Sequence, residues 1–166
     1  MSKRIPLTQG YFATIDDEDF DLVNRFKWFA YVDRPGPKQR VYARRNINLS
    51  NGKRGIQMMH GLILGVIGVD HRDGDGLNNQ RYNLRKATEA QNQANVGKRG
   101  GTSSRFKGVS RASGDLKWTA SIRKNGKPFH IGRFKDEVDA ATAYNFVAYE
   151  LRGDFAKLNV PLESAG

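Results

Sequence analysis

The order of apolar and polar residues over the first sixty positions predicts a small α+β body. Segments that favour β-strands alternate there with one amphipathic segment, and turn-forming residues separate them. The predicted elements are an extended or loop-like segment at 1–10, a strand at 11–15, a helix at 17–26 capped by Asp16 or Asp17, and strands at 27–32 and 40–45. We expect the core to contain the large aromatic side chains Phe20, Phe26, Trp28, Tyr31 and Tyr42.

The last sixty residues predict a different arrangement, three strands followed by one long helix. The strands are expected at 106–111, 117–123 and 127–134. Asn125-Gly126 is typical of the hairpin turn between the last two strands. Asp136 is placed to cap the helix, and Gly153 is placed to end it. Two further turns are predicted in the first half, at Pro35-Gly36-Pro37 and Asn51-Gly52.

Strict alternation along the strand at 117–123 separates two faces of this second sheet. The core side carries Trp118, Ala120 and Ile122, and the opposite side carries Lys117, Thr119, Ser121 and Arg123. The helix is expected to cover the core side with a stripe comprising Val138, Ala141, Tyr144, Ala148 and Leu151. Because one helix covers one face of a three-stranded sheet, the polar face is left open for a partner.

A basic stretch rich in glycine and serine lies between the two patterns. Its composition is typical of a flexible linker. We therefore predict an α+β protein of two small domains, at 1–95 and 105–160, joined by a linker at 96–104. Lys98 and Arg99 of that linker are candidates for contacts with a phosphate backbone.

The net charge of +11 is concentrated in one quarter of the chain. Residues 96–135 contain eleven lysines and arginines and one acidic residue, Asp115. Such clustering points to a polyanion as partner, and a merely solvated basic surface explains it less well. The absence of cysteine excludes disulfides and thiolate zinc sites. Without an apolar run of membrane-spanning length or a signal peptide, we expect a cytoplasmic protein with no membrane partner.

Candidate chemistry lies between positions 69 and 92, where a strand, a polar loop and a helix-compatible segment at 85–91 follow one another. Asp70 and Asn92 offer hard oxygen ligands of the kind that Mg²⁺ or Mn²⁺ binds. His71 is placed to take a proton from an attacking water, and Asn83 to hold the imidazole in one orientation. Each residue alone is more often an ion-pair or turn residue, and it is the joint spacing that favours a metal-dependent site.

The residues Asp70-His71, Asn83-Leu84-Arg85 and Asn92 resemble the motif of the HNH homing endonucleases, in the variant whose last motif position is Asn. The resemblance implies a ββα-metal site in which Asp70 and Asn92 hold the ion. It also implies that His71 is the general base and that Asn83 orients it.

A shorter segment upstream, Met59-His60-Gly61-Leu62-Ile63, resembles a Met-His-Arg-Leu-Ile segment of related HNH proteins, with Gly61 in place of the Arg. His60 is therefore either a further catalytic group, helping to hold a phosphate or a water, or a buried structural histidine. Both alternatives stay open.

A second resemblance covers most of residues 104–160. Its matching pieces are Phe106-Lys107-Gly108-Val109, Lys117-Trp118-Thr119-Ala120, Ile131-Gly132-Arg133-Phe134, Ala140-Ala141-Thr142-Ala143-Tyr144 and the segment from Leu151 to Asn159. They resemble the DNA-binding domain of the plant APETALA and ethylene-response transcription factors. The resemblance implies DNA contacts on the open sheet at Lys107, Ser110, Arg111, Ser121, Arg123 and His130. That family usually has Arg at the position of Ser110 and Trp at that of His130, which indicates looser base contacts or a different target.

Together these features predict a metal-dependent endonuclease of the homing type, from a phage or bacterial context, whose partner is double-stranded DNA. One site per chain predicts that the protein, as a monomer or weak dimer on DNA, nicks one strand. Two alternatives stay open: a DNA-binding regulator with an inactive nuclease fold, and an RNA-binding accessory protein.

Overall fold

The computed structural model describes residues 1–33, 39–98 and 103–159. The chain divides into two units, Met1–Asn92 and Gln93–Gly166. The finer limits predicted for the two domains and the linker stay a prediction, and the Pro35-Gly36-Pro37 turn and Arg99 lie outside the described residues. Within the described ranges, no helix combines the length and apolar character needed to cross a membrane.

The first unit contains small antiparallel sheets and short helices, which confirms the α+β class. Its strands are β1 (Ser2–Pro6), β2 (Phe12–Asp16), β3 (Phe29–Asp33), β4 (Arg40–Asn48), β5 (Arg54–Met58), β6 (Val69–His71) and β7 (Leu84–Lys86). Its helices are α1 (Phe20–Val23), α2 (Met59–Leu64) and α3 (Glu89–Asn95), the last of which continues into the second unit. β1 pairs with β2, β4 lies between β3 and β5, and β6 pairs with β7.

Most of the strands predicted for this unit form. β2, β3 and β4 occupy the segments where strands were expected. The β4–β5 hairpin turns at Asn51-Gly52 as predicted, with Ile47 opposite Gly55. The start of the chain, predicted as extended or loop-like, contains a regular strand because β1 pairs with β2 along its whole length.

The helix predicted over residues 17–26 is wrong in length. A short 3-10 turn leads into α1, which has four residues. Asp16, expected as a cap, instead accepts hydrogen bonds from the Gln80 side chain and the Arg81 backbone N–H, at 3.0 and 2.7 Å. Asp19 is buried and ion-paired with Arg81 at 2.6 Å. Partners distant in sequence thus occupy carboxylates that would otherwise bind the N–H groups of a first helical turn.

The apolar core of the first unit comprises Ile5, Ala13, Ile15, Val23, Trp28, Ala43, Met59, Ile63, Val69 and Leu84. Of the aromatic residues predicted for it, Trp28 is buried, and Phe20 and Phe26 pack against it from partly buried positions. Tyr31 and Tyr42 are only half-buried. They lie on the opposite face of the β3–β4–β5 sheet from Ala43, because successive residues of a strand point to opposite faces.

The second unit consists of a three-stranded antiparallel sheet and one long helix. Its elements are β8 (Val109–Ser110), β9 (Trp118–Lys124), β10 (Lys127–Phe134) and α4 (Glu137–Arg152), with β9 in the centre of the sheet. The hairpin turns at Asn125-Gly126, where both residues have left-handed φ values of 52° and 76°. The strand predicted at 106–111 is too long, because Gly108 has a φ of 74° and interrupts the extended backbone.

α4 covers one face of this sheet with mostly small side chains. Asp136 caps it as predicted, accepting hydrogen bonds from the N–H groups of Val138 and Asp139 at 2.7 and 3.3 Å. The buried positions are Ala140, Ala141, Tyr144, Asn145 and Ala148. Val138 and Leu151, predicted within the buried stripe, are 43% and 37% exposed, because the contact with the sheet follows the alanines.

Candidate active site

β6, β7 and α3 bring the motif residues of the first unit together. β6 carries Asp70 and His71, and its pairing with β7 sets Asp70 opposite Arg85 and His71 opposite Leu84. The segment after Leu84, predicted as helix-compatible, begins as the strand β7, and the helix starts only at Glu89. The order from residue 69 is therefore strand, loop, strand and helix.

Asp70 forms a buried ion pair with Arg85. Nη2 and Nε of Arg85 both donate to Asp70 Oδ2, at 2.6 and 2.8 Å, and the Arg85 side chain is 9% exposed. A buried carboxylate without such compensation is strongly destabilising. Arg85 therefore neutralises Asp70 and fixes its orientation within the sheet.

His71 lies in a cluster of rings drawn from three elements. The ring centroid of His60, from α2, is 5.0 Å from that of His71. Tyr42, from β4, is 6.0 Å from His71 and 6.3 Å from His60. Tyr42 was expected in the core, and the alternation of β4, which sends it to the face opposite Ala43, is the sequence signal that could have found it.

Asn79 is the residue whose side chain approaches the His71 ring, and sequence analysis did not single it out. Its Oδ1 lies 3.5 Å from His71 Nε2, while its Nδ2 donates to the carbonyls of Gly76 and Leu77 at 3.4 and 3.2 Å. An amide oxygen only accepts hydrogen bonds, so in the neutral ring the contact favours the tautomer with its proton on Nε2. Nδ1 of His71 then carries the lone pair.

Burial lowers the pKa of both histidines in this cluster. Desolvation and the nearby His71 lower the pKa of His60 to about 3. Desolvation also lowers the pKa of His71, against the opposing effects of the Asn79 hydrogen bond and of nearby carboxylates. Both rings are therefore neutral at neutral pH, and a neutral imidazole is the form that can accept a proton.

Asn83 holds the loop between β6 and β7. Its Nδ2 donates to Asp73 Oδ1 and to the Asn78 carbonyl at 2.9 and 2.8 Å, and its Oδ1 accepts from the Asp73 N–H at 3.0 Å. Asn83 is 1% exposed, so water cannot replace these bonds. Its contacts indicate that it holds the loop that carries Asn79. The expected direct action on the His71 ring stays a prediction.

The same loop packs tightly on β4 through Gly76. A Cβ at this position would lie 2.4 Å from the Val41 carbonyl and 2.5 Å from the Tyr42 ring. Only glycine permits so close an approach. The loop and the Tyr42 ring thus form one wall around the histidines.

Asn92 lies on α3 beside β6. Its Nδ2 donates to the carbonyl of Val69, the residue before Asp70, at 3.3 Å. Because Nδ2 makes this contact, the amide oxygen is the atom of the Asn92 side chain that a hard cation could bind. A carboxylate offers about four lone-pair sites, so Asp70 can hold Arg85 and a divalent ion together. One carboxylate and one amide oxygen fit Mg²⁺ or Mn²⁺, with water completing the shell.

Another group of acidic side chains in the first unit has a different role. Carboxylate oxygens of Asp16, Glu18 and Asp19 lie within 4.8 Å of one another. Arg81 is ion-paired with Glu18 at 2.9 Å and with Asp19 at 2.6 Å, and its backbone N–H donates to Asp16. The guanidinium occupies the place that a cation would take, so we assign this group a structural role.

A viral protein shares most of the length of this chain. Over 157 residues the chain is 34% identical to a protein of Acanthamoeba polyphaga mimivirus named an uncharacterised HNH endonuclease, and the alignment covers 91% of the chain and 76% of the relative. This chain belongs to the HNH endonuclease family. No protein-family model matches it, and no solved structure matches it.

The second unit of this HNH endonuclease leaves one sheet face open. Ala120 and Ile122 of β9 are buried under α4, which confirms the predicted alternation. Across the sheet, His130 lies opposite Ser121, and the exposed Ser110 lies opposite Thr119. Polar side chains from all three strands thus form a continuous patch on the open face.

Three of the predicted DNA-contacting cations differ in their surroundings. Arg123 is exposed on the open side of β9, with Nη1 donating to the Gly126 carbonyl at 3.1 Å. Arg111 is exposed and stacks over the Trp118 ring at 4.4 Å. Lys98 is half-buried.

The side chain of Lys107 contacts the end of a helix. Its Nζ donates to the carbonyls of Ala94 and Val96 at 2.6 and 2.5 Å, at the C-terminal end of α3. Desolvation, with the nearby charges of Arg152 and Lys157, lowers its pKa to about 8. This placement favours a helix-capping role for Lys107. Its predicted DNA contact stays a prediction.

Proposed function

We propose that this HNH endonuclease hydrolyses phosphodiester bonds of double-stranded DNA, with Mg²⁺ or Mn²⁺ held by Asp70 and Asn92. The observation that carries the proposal is the grouping on β6 of a buried carboxylate and a neutral, buried imidazole, with Asn92 hydrogen-bonded to the backbone beside them. The order strand, loop, strand and helix from residue 69 supports the proposal of a ββα-metal site, which the family motif implies.

In this mechanism His71 is the general base. Nδ1 takes a proton from the attacking water while Asn79 holds the Nε2 proton, which keeps the ring in one tautomer. His60 and Tyr42 pack around the imidazole and limit its access to bulk water. When bound, the ion stabilises the negative charge that develops on the departing oxygen.

The second unit binds the duplex through its open sheet face. Ser110, Ser121 and His130 supply short polar groups for base edges, and Arg123 supplies a cation for the phosphates. This arrangement is the one expected for a domain of the APETALA and ethylene-response type. One active site per chain leads to a nick in one strand, and cutting both strands requires two chains.

Relaxation of supercoiled plasmid tests the proposal. Wild type is expected to nick DNA with Mg²⁺ or Mn²⁺ and not with EDTA. His71→Ala is expected to lower the single-turnover rate by at least about 100-fold, because it removes the general base. Asp21→Asn, an exposed change on α1, is the matched control and should nick like wild type.

Activity that survives both EDTA and His71→Ala would overturn the proposed chemistry and point to a contaminating nuclease. A protein that binds duplex DNA without cutting it would then be the DNA-binding regulator. Competition between duplex DNA and structured RNA at fixed salt distinguishes a DNA-binding protein from the RNA-binding alternative, which would prefer the RNA.

A further inference from the structure

Arg44 on β4 has a buried polar group that the fold does not satisfy. Among the side-chain nitrogens and oxygens of the described residues, its Nε is the one that is buried without a hydrogen-bond partner. No carboxylate in the described part of the chain forms an ion pair with it. Leaving such a donor unpaired is destabilising, so the fold keeps Arg44 at this position although its own contacts do not satisfy the side chain.

The surroundings of Arg44 hold its guanidinium in place instead. Its Cζ lies 4.0 Å from the centre of the Tyr31 ring and 5.2 Å from that of Phe29. Contact with two aromatic rings restricts where the guanidinium can lie on the sheet face. The cation is therefore positioned before any ligand arrives.

The register of the β3–β4–β5 sheet puts Arg44 beside the histidine cluster. Tyr42, two residues earlier on β4 and about 7 Å away along the strand, shares its face and touches both His60 and His71. Across the sheet, Arg44 lies opposite Met58, which precedes His60 by two residues. Arg44 thus belongs to the sheet face that lines the candidate active site.

Neither α2 nor Arg85 offers a cation for a phosphate at this site. α2, which carries His60, has the sequence MHGLIL and contributes no lysine or arginine. Arg85, next to the motif on β7, is engaged by Asp70. A phosphodiester that approaches His71 carries a negative charge, and a guanidinium matches the geometry of phosphate oxygens.

We propose that Arg44 is a phosphate-binding residue, which donates from its guanidinium to a non-bridging oxygen of the DNA backbone at or next to the bond that His71 attacks. This inference rests on the proposed nuclease function and adds the residue that holds the substrate phosphate at the site. The rival explanation is that Arg44 only stacks on Tyr31 and stabilises the sheet.

Duplexes with a methylphosphonate at one position test the contact, because this group replaces a charged phosphate oxygen by a neutral methyl. The probes are duplexes with this substitution at each phosphate in turn along the bound DNA, and binding is measured in EDTA. We expect the methylphosphonate at one of these positions to weaken binding by the wild-type protein about 10- to 100-fold relative to the unsubstituted duplex. For Arg44→Gln, the same substitution is expected to weaken binding little, because this variant already lacks the contact.

Arg45→Gln is the matched control. Arg45 is the next residue of β4 and lies on the other face, where its Nε donates to Gln57 Oε1 at 2.8 Å and its guanidinium stacks on Phe26 at 3.4 Å. The change removes the same charge and a comparable aromatic contact. For Arg45→Gln, the methylphosphonate at the sensitive position is expected to weaken DNA binding as much as it does for wild type, whatever the change does to thermal stability.

Arg44→Lys provides a second variant if Arg44→Gln unfolds, because it keeps the charge and loses only the planar fork. It is expected to show a reduced loss at the same phosphate. If folded Arg44 variants lost as much affinity as wild type at every methylphosphonate position, the inference would be overturned and Arg44 would have a structural role. Because binding is measured without the metal, this result does not depend on cleavage, whereas equal nicking by wild type and His71→Ala would refute the proposed function alone.

Discussion

In the first unit the polar side chains that bear on chemistry are buried, whereas in the second unit they lie on an open sheet face. Asp70, His71, Asn79 and Asn83 are each no more than 6% exposed. Arg123, His130 and Ser110 are all exposed. The first unit therefore holds its polar groups through hydrogen bonds and an ion pair, and the second holds its polar face through the apolar packing beneath it.

This difference follows from the two tasks that we assign to the units. Acid–base chemistry needs an imidazole in one tautomer and one orientation, and burial with Asn79 and the loop provides both. Affinity for the phosphate backbone along a duplex comes from surface cations that displace the counterions of the DNA, so this task favours an exposed face. The same +11 chain can thus contain a pH-sensitive buried cluster and a salt-sensitive surface.

The largest expected effect concerns the packing beneath the second unit's open face. Gly108 has a φ of 74°, and a Cβ there would lie 2.2 Å from the Tyr144 ring and 2.6 Å from the Ser121 carbonyl. We expect Gly108→Ala to lower the free energy of unfolding by about 3 kcal/mol or more, from overpacking and a strained backbone together. Urea unfolding measures the change, and DNA binding should fall with it.

Gly114→Ala is the control for this variant. Gly114 also has a left-handed φ, of 78°, but no atom lies within 4 Å of the added Cβ. It should lose only about 1 kcal/mol, the cost of the backbone conformation. Equal effects of the two changes would mean that packing under the sheet contributes little to the binding face.

A smaller effect is expected from the buried histidine cluster as pH falls. The pKa of His60 is about 3 in the folded protein, against an ordinary value of 6.5 for a solvated histidine. Below pH 6.5 the unfolded chain therefore binds a proton that the folded state excludes. Folding stability contributed by neutral His60 is therefore lost as pH falls, by up to about 2 kcal/mol between pH 7 and pH 5.

Urea midpoints at the two pH values measure this loss. His60→Gln is expected to remove its part of the pH dependence, because glutamine does not titrate. Ser110→Ala, an exposed change that removes no titratable group, should keep the wild-type dependence. If His60→Gln retained the whole pH effect, the histidine cluster would not be the buried, water-poor site that the comparison assigns to the first unit.

The smallest expected effect is at the exposed face itself. Arg123→Ala should weaken duplex binding by roughly fivefold, about 1 kcal/mol, and reduce the slope of log affinity against log salt by about one. Turnover at saturating DNA should stay at the wild-type value, because Arg123 contributes to binding and not to the chemistry. Titrations at several salt concentrations and single-turnover rates measure the two quantities.

Arg133→Ala is a useful comparison for that variant. Arg133, on β10, is also exposed, but it is ion-paired with Asp115. It should therefore change the salt slope less than Arg123→Ala. A fall in turnover at saturating DNA for Arg123→Ala would contradict the division of labour between the two units.

Local physical chemistry made part of this structure predictable from the sequence. Alternation predicted which side of β9 is buried, Asn51-Gly52 and Asn125-Gly126 predicted hairpins, and the Asp136 side chain predicted the start of α4. These features depend on residues within a few positions of one another. The motif likewise singled out Asp70 and His71, which are adjacent in the chain and adjacent on β6.

Contacts between distant residues decided the rest. The carboxylates of Asp16 and Asp19 form hydrogen bonds with Arg81, more than sixty positions away, and the helix expected there shrinks to four residues. Sequence spacing likewise did not reveal that Tyr42 faces the histidines or that Asn79 approaches the His71 ring.

The physical reason is that a polar group inside a protein is satisfied by whichever partner the fold brings to it, and no local pattern encodes that partner. The residue types of the candidate site were therefore determined by the sequence alone. Their hydrogen-bond partners, their burial and their protonation were decided by the tertiary structure.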